Sequence, residues 1–100
     1  MLIVINWIYS RGVTILDIVI YSTGACPYCV QAKQLLASKG ANFKEIRIDL
    51  DPVQRDIMLQ KSNGKRTVPQ IFIGNTHIGG FDDLAALNRT GKLDLLLSGS

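Results

Sequence analysis

Two cysteines stand three positions apart in Cys26-Pro27-Tyr28-Cys29, and they are the only two in the 100-residue chain. A strand-like run precedes them and a helix-like run follows. Cys26 therefore reads as a helix N-cap, with Pro27 at the first helical position. A sulfur placed there faces unpaired backbone N–H groups and the positive end of the helix dipole. Both favour thiolate over thiol and pull a thiol pKa from about 8.5 toward roughly 3.5–7.5. Cys29 falls on the same helix face. First-turn residues three apart have Cα atoms roughly 5–6 Å apart, within disulfide reach. The chemistry these residues fit is thiol–disulfide exchange, with Cys26 as nucleophile and Cys29 as resolving thiol. The alternatives are a buried inert pair or half a zinc site. Zinc needs four ligands, and the chain's one His is His77.

Two further motifs could bind a partner for that sulfur. Thr67-Val68-Pro69 leads into a short strand, and Pro is tolerated at a strand's first residue, so plain strand entry is one reading. Gly79-Gly80-Phe81-Asp82-Asp83 allows a sharp turn into a helix. It is either that turn alone or a helix start whose N–H groups take a carboxylate. Asp82 is expected to cap this helix. Lys65 and Arg66 are solvated loop charges or cations beside the same anion site. Tyr21 and Tyr28 are by default core or rim aromatics. His77 and Trp7 receive no role.

The elements that must position these residues follow from periodicity. Leu16, Ile18 and Ile20 alternating with Val19 and Tyr21 predict a buried strand. A helix runs from Pro27 to a stop at Gly40, with Ala32, Leu35 and Leu36 inward. Phe43 to Leu50 predicts a second strand. Asp51-Pro52 starts another helix, with Val53, Ile57 and Met58 inward and Asn63-Gly64 at its end. Gln70–Ile73 and Thr76–Ile78 form a hairpin about Gly74-Asn75. A helix carrying Leu84 and Leu87 stops at Gly91, and Lys92 to Leu97 makes a terminal turn or helix. The order β-α-β-α-β-β-α implies a right-handed crossover, a parallel pair and then antiparallel strands. The fold class is α/β, a four-stranded mixed sheet with helices on both faces.

Composition narrows the classes. With 47% hydrophobic and 19% charged residues the chain is not disordered. Eleven Lys and Arg against 8 Asp and Glu give +3, too slight for a nucleic-acid binder. The most apolar stretch, Leu2–Ile8, is far shorter than the roughly 20 residues that a membrane helix needs. No basic residue precedes that stretch and no small-residue cleavage site follows, so no export signal is read. The expectation is a cytoplasmic protein without membrane or nucleic-acid partners. Residues 1–14 stand apart as an extension of unassigned role, and residues 15–100 form the domain.

Taken together, in this order and spacing, the three motifs resemble a dithiol glutaredoxin of the short bacterial type, over about residues 16–97. The resemblance implies the thioredoxin fold and a monomer. It implies an enzyme that uses glutathione as co-substrate, with no metal and no permanently bound cofactor. Its substrates are protein–glutathione mixed disulfides and protein disulfides. The resemblance further implies a cis Val68–Pro69 bond. The Val68 N–H and C=O would then pair with the cysteinyl backbone of glutathione, in a segment framed by Thr67 and Pro69. The backbone at Gly80, Phe81 and Asp82 would take the γ-glutamyl carboxylate, with Asp82, or else Asp83, facing the ammonium. Tyr28 would cover the ligand's edge, and Arg66 or its neighbour Lys65 would meet the glycyl carboxylate. Two positions depart from the family pattern. Thr23 stands where a Lys is usual, which implies weaker glutathione binding, and Asp56 where a Gln is frequent. Two other functions compete. One is an iron–sulfur carrier built from Cys26 of two subunits and two glutathiones, although carriers usually show Cys-Gly-Phe-Ser. The other is a thioredoxin-like donor recycled by a reductase, although thioredoxins show Trp-Cys-Gly-Pro-Cys and here Ala25 precedes Cys26.

Overall fold

The structure, a computed structural model, describes residues 17–98. Leu16 and the 1–14 extension lie outside the described residues. Strand β1 (Ile18–Ser22) leads into helix α1 (Pro27–Ser38), then β2 (Lys44–Arg47) and α2 (Pro52–Lys61). The hairpin β3 (Gln70–Ile73) and β4 (Thr76–Gly79) follows, then α3 (Phe81–Arg89) and α4 (Lys92–Leu97). The sheet order is β2-β1-β3-β4. β1 and β2 are parallel, and β3 is antiparallel to both β1 and β4.

Alternation along β1 splits the core in two. Ile18 and Ile20 point to one face, where they meet Ala32 and Leu36 of α1, Leu84 of α3, and Leu93 and Leu97 of α4. Val19 and Tyr21 point to the other, where α2 covers them with Met58 and Leu59 beside Phe72. Leu36, Leu84 and Leu93 are fully buried. Each such side chain contributes about 1.5–3 kcal/mol by leaving water. No helix among the described residues is long and apolar enough to cross a membrane.

Local chemistry sets the helix ends. Gly40, at φ +73°, follows α1. Its N–H reaches Ala37 O and the Ala41 N–H reaches Leu36 O, the paired bonds of a Schellman ending. After α2 both Asn63, at φ +63°, and Gly64, at φ +88°, are left-handed, and the Gly64 N–H bonds to Leu59 O. Asp51 caps α2 through its carboxylate, which accepts from the Val53 and Gln54 N–H groups.

Three expectations about the elements need correction. β2 ends at Arg47 rather than Leu50. The pairing extends one bond further, from the Ile48 N–H to Ser22 O, and then the chain turns so that Asp51 can start α2. Leu50 is consequently 72% exposed. Val53 is also outward, at 65% exposure, because α2 meets the sheet through its later turns, where Met58 is fully buried. Lastly, α3 starts at Phe81 with Gly80 as its N-cap, so Asp82 is the second helical residue and not the cap.

Candidate active site

Cys26 is the N-cap of α1. Its Sγ accepts the Cys29 N–H at 3.1 Å, and its carbonyl accepts the Val30 N–H at 3.2 Å. The sulfur therefore sits where the helix presents unpaired donors, an arrangement that stabilises negative charge on it. Pro27 opens the helix without spending a donor. The two sulfurs are joined as a disulfide, with the Cα atoms 5.2 Å apart. Cys26 is partly exposed, while Cys29 is 1% exposed. An external sulfur can reach Cys26, and only Cys26 can reach Cys29.

The loop before Cys26 is held from β2. The Gly24 N–H donates to Asp49 Oδ2 at 3.2 Å, and Arg47 grips the same carboxylate through Nε and Nη2 at 2.8 and 2.7 Å. The Arg47 guanidinium, followed by the Gly24 N–H, holds the Asp49 carboxyl down at about 2. At the end of β1, the buried Ser22 hydroxyl donates to Glu45, which also pairs with Lys33 of α1 at 2.9 Å.

Val68 and Pro69 are joined by a cis peptide bond. Val68 O lies 3.7 Å from Cys26 Sγ, so the segment before β3 forms the sulfur's neighbouring wall. Beyond it α3 begins. A Cβ on Gly80 would stand 3.6 Å from Pro69 O, which brings the first N–H groups of α3 against the cis-proline segment. Gly79 takes φ +113°, and a Cβ there would collide with the Asp83 carboxylate. That carboxylate accepts the Gly80 N–H at 3.0 Å. Asp83 is thus engaged in the turn, whereas Asp82 is exposed and makes no side-chain hydrogen bond among the described residues.

These parts enclose a cleft of about 520 Å³. Tyr28, Thr67, Val68, Pro69, Gly80, Phe81, Asp82 and Asp83 all line it. Tyr28 and Phe81 flank the cleft with rings 6.3 Å apart and nearly parallel. Of the two loop cations, both exposed, Lys65 lines the cleft and Arg66 does not. Sequence reasoning missed Gln70 and His77, which line the cleft as well. Gln70 is the one polar residue in an otherwise apolar strand, and a buried amide must find partners; that was the available signal.

The family model described as Glutaredoxin matches residues 18–78. The chain belongs to the glutaredoxin family. It is 58% identical over 81 residues to a glutaredoxin of Pseudomonas aeruginosa, covering 81% of this chain and 95% of that one. With glutaredoxin 3 of Escherichia coli it shares 52% identity over 81 residues, 81% of this chain and 96% of the relative. Among solved structures, it resembles the solution structure of a Brucella melitensis glutaredoxin at TM-score 0.73 and 51% identity, covering 87% and 95% of the two chains. It also resembles a buckwheat glutaredoxin–glutathione complex, at TM-score 0.76 and 33% identity, over 93% of this chain and 86% of that one. The architecture is the thioredoxin fold. Like its family, the glutaredoxin is a glutathione-dependent thiol–disulfide oxidoreductase, with glutathione as co-substrate and no permanent cofactor.

Proposed function

We propose that this glutaredoxin clears protein–glutathione mixed disulfides through Cys26 and reduces protein disulfides through Cys26 and Cys29 together. In the first reaction the Cys26 thiolate attacks the glutathione sulfur. The S–S bond breaks, the protein leaves as thiolate and takes up a proton, and glutathione stays on Cys26. A second glutathione thiolate then attacks that disulfide, leaving as oxidised glutathione and returning Cys26 as thiolate. In the second reaction the Cys26 thiolate attacks one sulfur of the substrate disulfide, that S–S bond breaks and the other substrate sulfur leaves as thiolate. Cys29, once deprotonated, then attacks Cys26 Sγ, expels the remaining substrate sulfur as thiolate and closes the Cys26–Cys29 disulfide. Two glutathiones reopen it.

The observation that carries this reading is the partly exposed Cys26 Sγ, 3.7 Å from Val68 O on the wall of the cleft, with Cys29 buried behind it. The cleft supports the following pose. Glutathione lies extended beside Thr67-Val68-Pro69 and pairs with Val68 as an added strand would. Its γ-glutamyl carboxylate meets the N–H groups opening α3 at Phe81 and Asp82, beside Gly80, whose own N–H is held by Asp83. Asp82 faces the ammonium, since Asp83 already accepts from Gly80. Tyr28 covers the cysteinyl edge. Lys65, which lines the cleft, is a better partner for the glycyl carboxylate than Arg66. The buckwheat relative is a complex with glutathione on the same fold.

On this reading the protein partners are glutathionylated or disulfide-bearing proteins, the enzyme acts as a monomer in the cytoplasm, and residues 15–100 suffice for catalysis. The test is turnover of a glutathionylated peptide, coupled through glutathione reductase to NADPH oxidation. Turnover that rises with glutathione and vanishes in Cys26→Ser is expected. Turnover indifferent to glutathione but sustained by thioredoxin reductase would overturn the reading.

A further inference from the structure

The cleft wall on the β3–β4 side holds a polar pair with no part in the reaction above. Gln70 opens β3 and is 2% exposed. A buried primary amide must place its donors and its acceptor, because an unmet one is costly. Gln70 Nε2 donates to Thr67 O at 2.9 Å and to Thr67 Oγ1 at 3.2 Å. A carbonyl oxygen only accepts, so this contact fixes which end of the amide is nitrogen. The other end, Oε1, stands 2.7 Å from His77 Nε2. Because Oε1 only accepts, Nε2 carries the proton. The His77 ring is in turn held flat against Phe72, with centroids 4.7 Å apart and planes 23° apart.

Thr67 O belongs to the same peptide plane as the Val68 N–H, and Val68–Pro69 is the one cis bond among the described residues. In a trans peptide the C=O and N–H point in opposite directions. Drawing Thr67 O toward the buried amide therefore turns the Val68 N–H the other way. We infer that Gln70 and His77 are positioning residues for the co-substrate. His77 Nε2–H locks the Gln70 amide, Gln70 holds Thr67 O, and the Thr67–Val68 peptide is thereby fixed with its N–H presented to glutathione. The inference rests on the reading that Val68 is glutathione's strand partner.

The test uses the full chain and compares Gln70→Met, His77→Phe and His77→Gln. Phe keeps the stacking on Phe72 and drops the donor. The Gln Nε2 lies near the place of the imidazole Nε2 and keeps the donor. Gln70→Met should raise the KM for a glutathionylated peptide about tenfold, the scale of a lost buried hydrogen bond. His77→Phe should raise it about three- to fivefold. In both, kcat and the rate of Cys26 alkylation by iodoacetamide should stay within twofold of the parent. His77→Gln should return the KM to the parent value, and the double variant Gln70→Met/His77→Phe should be no worse than Gln70→Met. If Gln70→Met does not fold, the two His77 variants decide. An unchanged KM in folded His77→Phe, a His77→Gln as impaired as His77→Phe, or additive effects in the double variant would overturn the inference. Amide NMR separates the two levels of the argument. A parent Val68 amide that ignores glutathione removes the strand-pairing reading and the inference with it. A parent amide that responds, with the same midpoint in His77→Phe, removes the inference alone.

Discussion

Replacing Cys29 by Ser should split two activities that the parent carries together. Deglutathionylation uses Cys26 and free glutathione at every step, so Cys29→Ser should keep it. The rate should even rise, since the variant cannot divert into the Cys26–Cys29 disulfide. Reduction of a protein disulfide is different, because the mixed disulfide on Cys26 must be attacked from within. The two Cα atoms are 5.2 Å apart on one helical turn, so Cys29 reaches the bond without backbone movement. An effective molarity of about 10 M for this attack, cautious against the roughly 10⁵–10⁸ M of well-oriented pairs, exceeds about 1 mM glutathione by about 10⁴. At 1% exposure of Cys29, almost no external thiol competes from its position. Release of a disulfide substrate should therefore slow by about three to four orders of magnitude, and the covalent complex should accumulate. Rapid quenching with acid followed by non-reducing electrophoresis reads both the complex and its decay. If Cys29→Ser loses deglutathionylation as completely as Cys26→Ser does, or resolves the mixed disulfide at the parent rate, the roles assigned to the two sulfurs are wrong.

Gly79→Ala places a Cβ at φ +113° against the Asp83 carboxylate. It should cost about 2 kcal/mol and roughly 10 °C of melting temperature, and a fall under about 3 °C would show that the turn tolerates a side chain. The Asp49 carboxyl is held at about 2 by Arg47, below its ordinary 3.8, so the stability it contributes is present above pH 4 and is lost as pH falls through 2. The Gly24 amide should titrate with that low midpoint by NMR, and Arg47→Ala should move the midpoint up toward the ordinary value. Thr23→Lys should lower the KM for glutathione by supplying a cation ahead of Cys26; an unchanged KM would mean that Lys65 already meets the glycyl carboxylate. Deleting residues 1–14 should leave turnover within about twofold, because every motif that carries the chemistry lies from Cys26 onward in the sequence.

Much of the fold could be read from one dimension because its signals are local. The N-cap cysteine, the Asp51-Pro52 start, the Gly40 and Asn63-Gly64 stops and the Gly74-Asn75 hairpin are each decided by residues a few positions apart. The alternation of Ile18 and Ile20 against Val19 and Tyr21 places helices on both faces of the sheet. The misreadings fall at element ends and at the face a helix turns inward, which apolar periodicity alone does not fix. β2 stops at Arg47 because the segment must turn toward the Asp51 cap, while its Ile48 still bonds to Ser22 of β1. Val53 has an inward-looking residue type, but α2 touches the sheet only through its later turns.

The site divides along the same line. Cys26, Cys29 and Pro69 announce themselves because their side chains act through geometry that a few neighbours supply. The carboxylates at α3 do not, because two adjacent Asp residues are equivalent until the turn is built. Once Gly79 and Gly80 bring the chain round, Asp83 falls on the Gly80 N–H and Asp82 is left exposed on the cleft. The cations Lys65 and Arg66 are equivalent in the same way, and only the path of the loop puts the first against the cleft. Gln70 and His77 are harder still. Each is an ordinary strand residue alone, and their role arises only when the hairpin brings His77 Nε2 to 2.7 Å from Gln70 Oε1 and the preceding loop brings Thr67 O to the other end of that amide. The fold thus places its nucleophile by local rules, but it aims the backbone beside that nucleophile by a contact across two strands. Substitutions that leave Cys26 reactive while blurring the co-substrate's seat should therefore concentrate on β3 and β4, not on α1.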